Sequence, residues 1–368
     1  MTALPLALIV VITVVDVLSP PEIHLGPLLI VAPALTASIA GPRATAGVAL
    51  LALAALTVIG AVRDGLTSAN IETQLSAQVV VSALIVGLRV LRDRHERELA
   101  RVRSVSEAAQ RVLLRPLPDR IGPLHLASFY LAAEAEAQVG GDLYAAARTT
   151  DGTRLLVGDV RGKGLSSLGD AALLLGAFRA AAHLHADLPG LAEYLDGSVC
   201  WDLAQLAEAR RAERSRHQHQ YQHPDEEEPD EGGESFITAV LIDIPDDGTH
   251  VHLIDCGHPP PLLLRPDGVT TLTTRNPAPP LGLGELAPVS YEVQTFPFHP
   301  GDRLLIYTDG VIEARDAQRR FYPLTERVTA WQAERPNVLL SRLRRDLLAH
   351  VGRRLDDDAA MVMVERLP

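Results

Sequence analysis

Cysteine, aromatic residues and basic charge are all scarce in this chain of 368 residues. It has two cysteines, Cys200 and Cys256. That is too few for a disulfide framework, and they lack metal-ligand spacing, so they read as two reduced thiols. Lysine and arginine together number 34 against 46 aspartates and glutamates, giving a formal net charge of -12. Binding nucleic acid calls for a basic stripe that displaces counterions, so no nucleic-acid partner is expected. There is also no Gly-Lys-Ser/Thr loop, which makes Gly162-Lys163-Gly164 a poor nucleotide cradle.

Charge of either sign is nearly missing before Leu91. Four apolar segments fill that stretch: about Ala3–Leu18, Leu25–Ala40, Ala44–Val62 and Leu75–Leu91. Each approaches the roughly 17–25 residues that cross a bilayer core. The first carries Asp16 and lacks the basic flank of a signal peptide. Arg89, Arg92, Arg94, Arg97, Arg101 and Arg103 crowd behind the fourth segment, so that side reads as cytoplasmic. Arg63, in a loop expected outside, is a mild exception. Residues 1–91 are therefore expected to be a multi-pass membrane region. From Leu91 to Leu114 neither Gly nor Pro interrupts the chain, and Leu99, Val102, Val105, Ala109, Val112 and Leu113 make an apolar stripe at helical spacing. Such a linker helix either packs on its own domain or pairs with a second copy.

What the rest of the chain does have is aspartate in short motifs. Asp142 closes Gly140-Gly141-Asp142, Asp159 opens Asp159-Val160-Arg161-Gly162, Asp309 sits in Tyr307-Thr308-Asp309-Gly310, and Asp356-Asp357-Asp358 precedes the last apolar run. Strand-like runs, Leu155–Val157, Leu304–Ile306 and Met361–Val364, border three of these sites. A strand end holds a carboxylate rigidly, and neighbouring glycines allow close approach. Converging carboxylates repel one another, and hard divalent cations relieve that repulsion. The pattern implies a metal-assisted hydrolase.

The stretch from Val139 through Gly164, then Phe236-Ile237-Thr238-Ala239, then Cys256-Gly257-His258-Pro259-Pro260-Pro261, resembles the bacterial PPM (PP2C-like) serine/threonine phosphatases of the SpoIIE/RsbU type. Pro280-Leu281-Gly282, Pro300-Gly301-Asp302 and Tyr307 through Ala314 extend the match, which covers roughly residues 105–366. The resemblance implies an α+β fold: an α-β-β-α sandwich of two packed antiparallel sheets flanked by helices, here preceded by an all-α transmembrane bundle. It divides the chain into a membrane region at 1–91, a linker helix at 92–118 and a phosphatase domain at 119–368.

It also implies two divalent cations, Mn2+ or Mg2+, and a water that they activate to attack the phosphorus of a phosphoserine or phosphothreonine. Asp159 would bridge both cations, with the Val160 carbonyl as an added ligand, Asp142 serving one cation, and Asp309 and Asp357 the other. Asp358 is the alternative to Asp357. Arg161 and Lys163 are possible phosphate contacts, although Arg161 stands where the subgroup usually has a small polar residue. Ala145 and Ala360 stand where the family often has Asp and Thr. His258 reads as a structural histidine more readily than as a general acid.

The substrate implied by the subgroup is a phosphorylated STAS-type regulator, and the enzyme would be membrane-anchored with its catalytic domain in the cytoplasm. The rival reading is a catalytically weak membrane scaffold that uses the fold only for binding. A His-rich and acidic insertion at 215–234 has little apolar content to offset its ordering entropy and reads as disordered.

Overall fold

The computed structural model describes residues 3–20, 24–63, 69–133, 140–162, 165–218, 235–284, 289–352 and 355–368. The insertion beyond Gln218, together with Val139, Lys163 and Gly164, lies outside the described residues. The chain forms two compact units, Met1–Val102 and Arg103–Pro368.

The first unit is helical. It contains α1 (Ala3–Leu18), a 3-10 segment (Gly26–Ile30), α2 (Val31–Ile39), α3 (Pro42–Arg63) and the earlier part of α4 (Ala69–Leu113). Ile9, Leu29, Ala32, Val48, Leu56 and Ile59 build its core. Among the described residues two stretches are long and apolar enough to cross a membrane, Pro42–Arg63 and Ile71–Glu98. The 16 residues of α1 rise only about 24 Å, short of a hydrocarbon core of about 30 Å. The second apolar segment is divided between the 3-10 turn and a nine-residue helix, and Pro27 and Pro33 lie within it. The exceptional Arg63 has a clear role. Its guanidinium donates to the Asp16 carboxylate and main-chain carbonyl, both at 2.7 Å, and to the carbonyl of Pro20 at 2.6 Å.

The second unit is the expected α+β sandwich. One sheet runs β1 (Arg120–Ile121), β2 (Leu124–Leu131), β11 (Ala359–Arg366), β10 (Arg303–Tyr307), β7 (Leu262–Arg265), β8 (Gly268–Thr271). The other runs β3 (Asp142–Arg148), β4 (Gly152–Val160), β5 (Ile237–Pro245), β6 (His250–Cys256), β9 (Gln294–Pro297). Every ladder between named strands is antiparallel.

Period-two alternation sorts each strand between two cores. On β11, Val362 and Val364 join Val157, Val240 and Leu304 between the sheets. Met361 and Met363 face the other way, onto α8 (Leu324–Trp331) and α9 (Pro336–His350). Leu156 and Leu241 pack against α5 (Leu165–Ala181) and α6 (Leu188–Gln218) through Leu174, Phe178 and Leu191. Burial on both faces explains why these strands read as near-continuous apolar runs.

The last turn of α4 departs from the stripe read in the sequence. Val112 is 75% exposed, whereas the polar Gln110 is only 7% exposed.

Candidate metal centre

The site lies where ends of the two sheets meet. In the β3–β4 ladder Asp142 and Asp159 are direct partners. Like charges opposite each other destabilise a sheet, so this pairing has a cost that packing elsewhere must cover. Gly141 is required by close approach. A Cβ there would run into the Val160 carbonyl and stand 2.7 Å from an Asp159 carboxylate oxygen.

The third carboxylate comes from the other sheet. β10 ends at Tyr307, Thr308 is extended, and Asp309 opens the one-turn helix α7 (Asp309–Ile312). Thr308 stitches the sheets together. Its hydroxyl donates to Asp142 Oδ2 at 2.7 Å and accepts the Ala360 N–H at 2.9 Å, while its own N–H donates to the Ala360 carbonyl.

Carboxylate oxygens of Asp142, Asp159 and Asp309 thus come within 4.8 Å of one another. Burial raises the Asp142 carboxyl well above the ordinary range, and the Asp159 charge raises it further. Asp159 is pushed up to about 7, first by burial and then by Asp309, Asp357 and Asp358. Asp309 is raised by burial and by Asp357. Among the described residues, the charges that raise the three are other carboxylates. An all-oxygen, mutually repelling donor set of this kind fits a hard divalent cation and suits neither a soft metal nor a bare proton network.

The remaining sequence candidates fall around this core. Asp357 is exposed, and its charge is felt by both Asp159 and Asp309, although it lies outside the tightest group. Asp356 is exposed. Asp358 turns inward, where its carboxylate accepts the Tyr130 hydroxyl and the Ala133 N–H. The Val160 side chain is buried and its carbonyl faces Gly141. The exposed Arg161 guanidinium lies over the Phe236 ring, 4.9 Å from its centroid.

His258 is buried, and the Tyr307 backbone is the polar group that acts on its ring. Burial drives its pKa down to about 3, so it is neutral and unsuited to donate a proton near pH 7. Ala145 packs in the apolar layer beneath α5 and α6, and Ala360 uses only its backbone on Thr308. Sequence reasoning missed the roles of Thr308, Tyr130 and Gln110. Only Thr308 carried a signal, as a hydroxyl beside an aspartate at a strand end.

Comparison with known proteins bears on the fold that carries this site. Over 118 residues the chain is 28% identical to Protein IcfG of Synechocystis sp., a stretch that is 31% of this chain and 18% of IcfG. It superposes on the SiaA-PP2C domain of Pseudomonas aeruginosa with a TM-score of 0.55 and 16% identity, covering 75% of this chain and 99% of that one. The RsbU and RsbW domains of a Mycobacterium tuberculosis protein give a TM-score of 0.49 and 24% identity, covering 66% of this chain and 60% of that one. The model of the Stage II sporulation protein E (SpoIIE) family matches residues 149–367. That span holds Asp159, Asp309 and the terminal aspartates on a PP2C-like sandwich, and by it the chain belongs to the SpoIIE family.

Proposed function

We propose that this chain is a membrane-anchored, metal-dependent protein serine/threonine phosphatase acting on a phosphorylated regulatory protein of the STAS type. One observation carries the reading: three carboxylates from two sheets converge within 4.8 Å, each with its pKa raised by burial and by its acidic neighbours. Membership of the SpoIIE family supports the reaction class, and the STAS-type substrate is carried over from the subgroup that the motifs resemble.

Asp142, Asp159 and Asp309 would hold two divalent cations, manganese or magnesium, with Asp357 and the Val160 carbonyl completing the set. Bound there, the cations supply a water that ionises near neutral pH and stabilise charge on the phosphoryl oxygens. The protein's own contribution is to fix the donors in advance. Thr308 locks one oxygen of Asp142, and the β3–β4 register locks Asp142 against Asp159. Arg161, and Lys163 two residues on, would attract the substrate phosphate.

Membrane anchoring is supported by the two apolar stretches at Pro42–Arg63 and Ile71–Glu98. A cytoplasmic catalytic domain is supported by the arginines from Arg89 to Arg103. In this reading residues 1–91 are the multi-pass membrane region, 92–118 a linker helix able to pair with a second copy, and 119–368 the phosphatase domain.

The test uses the full chain in detergent with a phosphoserine peptide, comparing manganese, magnesium and EDTA. Metal-dependent phosphate release that Asp159→Ala and Asp309→Ala both abolish is the expected result. Release that survives both substitutions, or no release with any metal from a folded protein, would sink the reading and return the scaffold alternative.

A further inference from the structure

Asp358 behaves unlike the other acidic residues of the centre. It is 3% exposed, and its side chain accepts the Tyr130 hydroxyl on one oxygen and the Ala133 N–H on the other at 2.7 Å. Its remaining atoms touch the segments that carry the cluster. Its N–H donates to Asp357 Oδ1 at 3.0 Å. Its carbonyl occupies the space a side chain at Gly310, next to Asp309, would need. Its carboxylate fills the space a side chain at Gly140, two residues before Asp142, would need. One residue is thus wedged against Gly140, two residues before Asp142, against Gly310, next to Asp309, and against Asp357 itself.

Tyr130 is held in turn. Gln110 Nε2 donates to its hydroxyl oxygen at 2.8 Å and reaches the Gly140 carbonyl at 3.4 Å. Gln110 stands one turn before the end of α4 and is nearly buried. That end is fixed by the Leu114 N–H on the Gln110 carbonyl and by the Arg179 guanidinium on the Leu113 carbonyl, both at 2.7 Å. A buried amide with both donors engaged sets register. Sliding α4 by one residue moves it about 1.5 Å and breaks both bonds.

We infer that Gln110, Tyr130 and Asp358 form a positioning relay that joins the end of α4 to the carboxylate centre and sets how tightly that centre holds a divalent cation. The inference rests on the metal-site reading above but assigns roles that reading does not use. None of the three residues need touch substrate. They act by fixing Gly140, Asp357 and Gly310, and through these the spacing of the ligands. Groups that orient metal ligands from behind typically change affinity by about 10–100-fold when removed. Linkage requires the reverse effect as well, so a cation bound at the centre must restrain Gln110 and the last turn of α4.

The test is manganese binding to the full-length protein by titration calorimetry, with Tyr130→Phe, Gln110→Leu and the double variant. Each single variant should weaken manganese about tenfold, and the double should lose little more, because both interrupt one relay. Turnover at saturating manganese should stay within about twofold, since transition-state contacts are untouched. Amide exchange at Gln110–Leu114 should slow on adding manganese in the wild type and not in Tyr130→Phe. Wild-type affinity in both single variants overturns the relay, as do losses that add fully or exchange that ignores manganese. If the wild type itself binds no manganese, the metal-site reading falls and the relay falls with it. Should Tyr130→Phe fail to fold, Gln110→Leu and the wild-type exchange data decide alone.

Discussion

The two units treat buried acid in opposite ways. In the helical unit Asp16 is 1% exposed and has a resident cation, Arg63, at 2.7 Å. The Leu25 N–H takes its second oxygen. In the sandwich, Asp142, Asp159 and Asp309 are gathered with carboxylates as their charged neighbours. A buried ion pair that includes its own counter-charge is complete and needs no ligand. A cluster of like charges is complete only when a cation arrives from outside. The first arrangement holds helices together, whereas the second costs stability until it binds something, which is how a binding site differs from a staple.

The most severe way to break the contrast is to remove a carboxylate from the open cluster. Asp159→Ala should lower metal-dependent phosphate release by about a thousandfold or more, the scale expected for a group acting at the reacting atoms. Circular dichroism should show the fold retained, because the lost charge was repelled rather than paired. A loss below tenfold would mean that Asp159 does not hold the cation.

Breaking the closed pair should cost structure instead. Arg63→Ala leaves Asp16 buried without its cation, and removing one partner of such a pair costs about 3–5 kcal/mol. Asp16→Asn should cost less, since Arg63 keeps the carbonyls of Asp16, Ser19 and Pro20. Unfolding of the full chain in detergent, followed by protease resistance of the helical unit, ranks the two. Equal losses would mean that the pairing with the Asp16 carboxylate, and not the main-chain carbonyls, is what Arg63 contributes to the hold of α1 on α3.

A gentler probe varies pH without metal. The Asp159 carboxyl is raised in the folded state from its ordinary 3.8 to about 7, so between those values the folded protein holds a proton the unfolded chain has released. Stability from this group is complete below its unfolded value and falls as pH rises toward 7. Calorimetry in EDTA should therefore show the sandwich's melting temperature declining across that window. Manganese should reverse the trend, and Asp159→Asn should flatten it and raise the melting temperature at pH 8 by about 2–4 °C. A melting temperature that rises from pH 4 to 7 in EDTA would contradict the cluster's electrostatics.

Much of this contrast could be read from the sequence. Asp142, Asp159 and Asp309 announce themselves because each adjoins glycine, and Asp159 and Asp309 also follow a strand-like run, so local pattern and chemistry agree. Their convergence is not local: the Asp142–Asp159 register depends on how β3 meets β4, and no short motif encodes that. The strands β1, β8 and β9 escaped notice because two to four residues give too few alternations to count, and α7 is only one turn. Arg63 looked misplaced because a loop-charge rule cannot see Asp16, 47 positions earlier. Gln110 was hidden by its own polarity. Helical spacing selected the apolar Val112 for the buried face, but the chain buries the amide because Tyr130 and Gly140 offer it partners.

The smallest effect tests whether the open cluster has an overlooked counterpart of Arg63. Arg161 lies two residues from Asp159 and is the natural candidate, yet its guanidinium rests over Phe236 rather than on a carboxylate. Contacts of this kind at exposed sites contribute about 0.5–1 kcal/mol, enough to hold the side chain and too little to fix it against a better partner. A doubly charged phosphate is such a partner, since planar guanidinium donors match its oxygens. Arg161→Ala should therefore leave manganese affinity and the pH trend of stability unchanged, while raising KM for a phosphoserine peptide about three- to tenfold with kcat nearly constant. Arg161→Lys should recover part of the loss, because the charge remains and the fork does not. If Arg161→Ala instead tightens manganese binding, the guanidinium competes with the cation, and the sandwich's cluster would then resemble the closed pair of the helical unit.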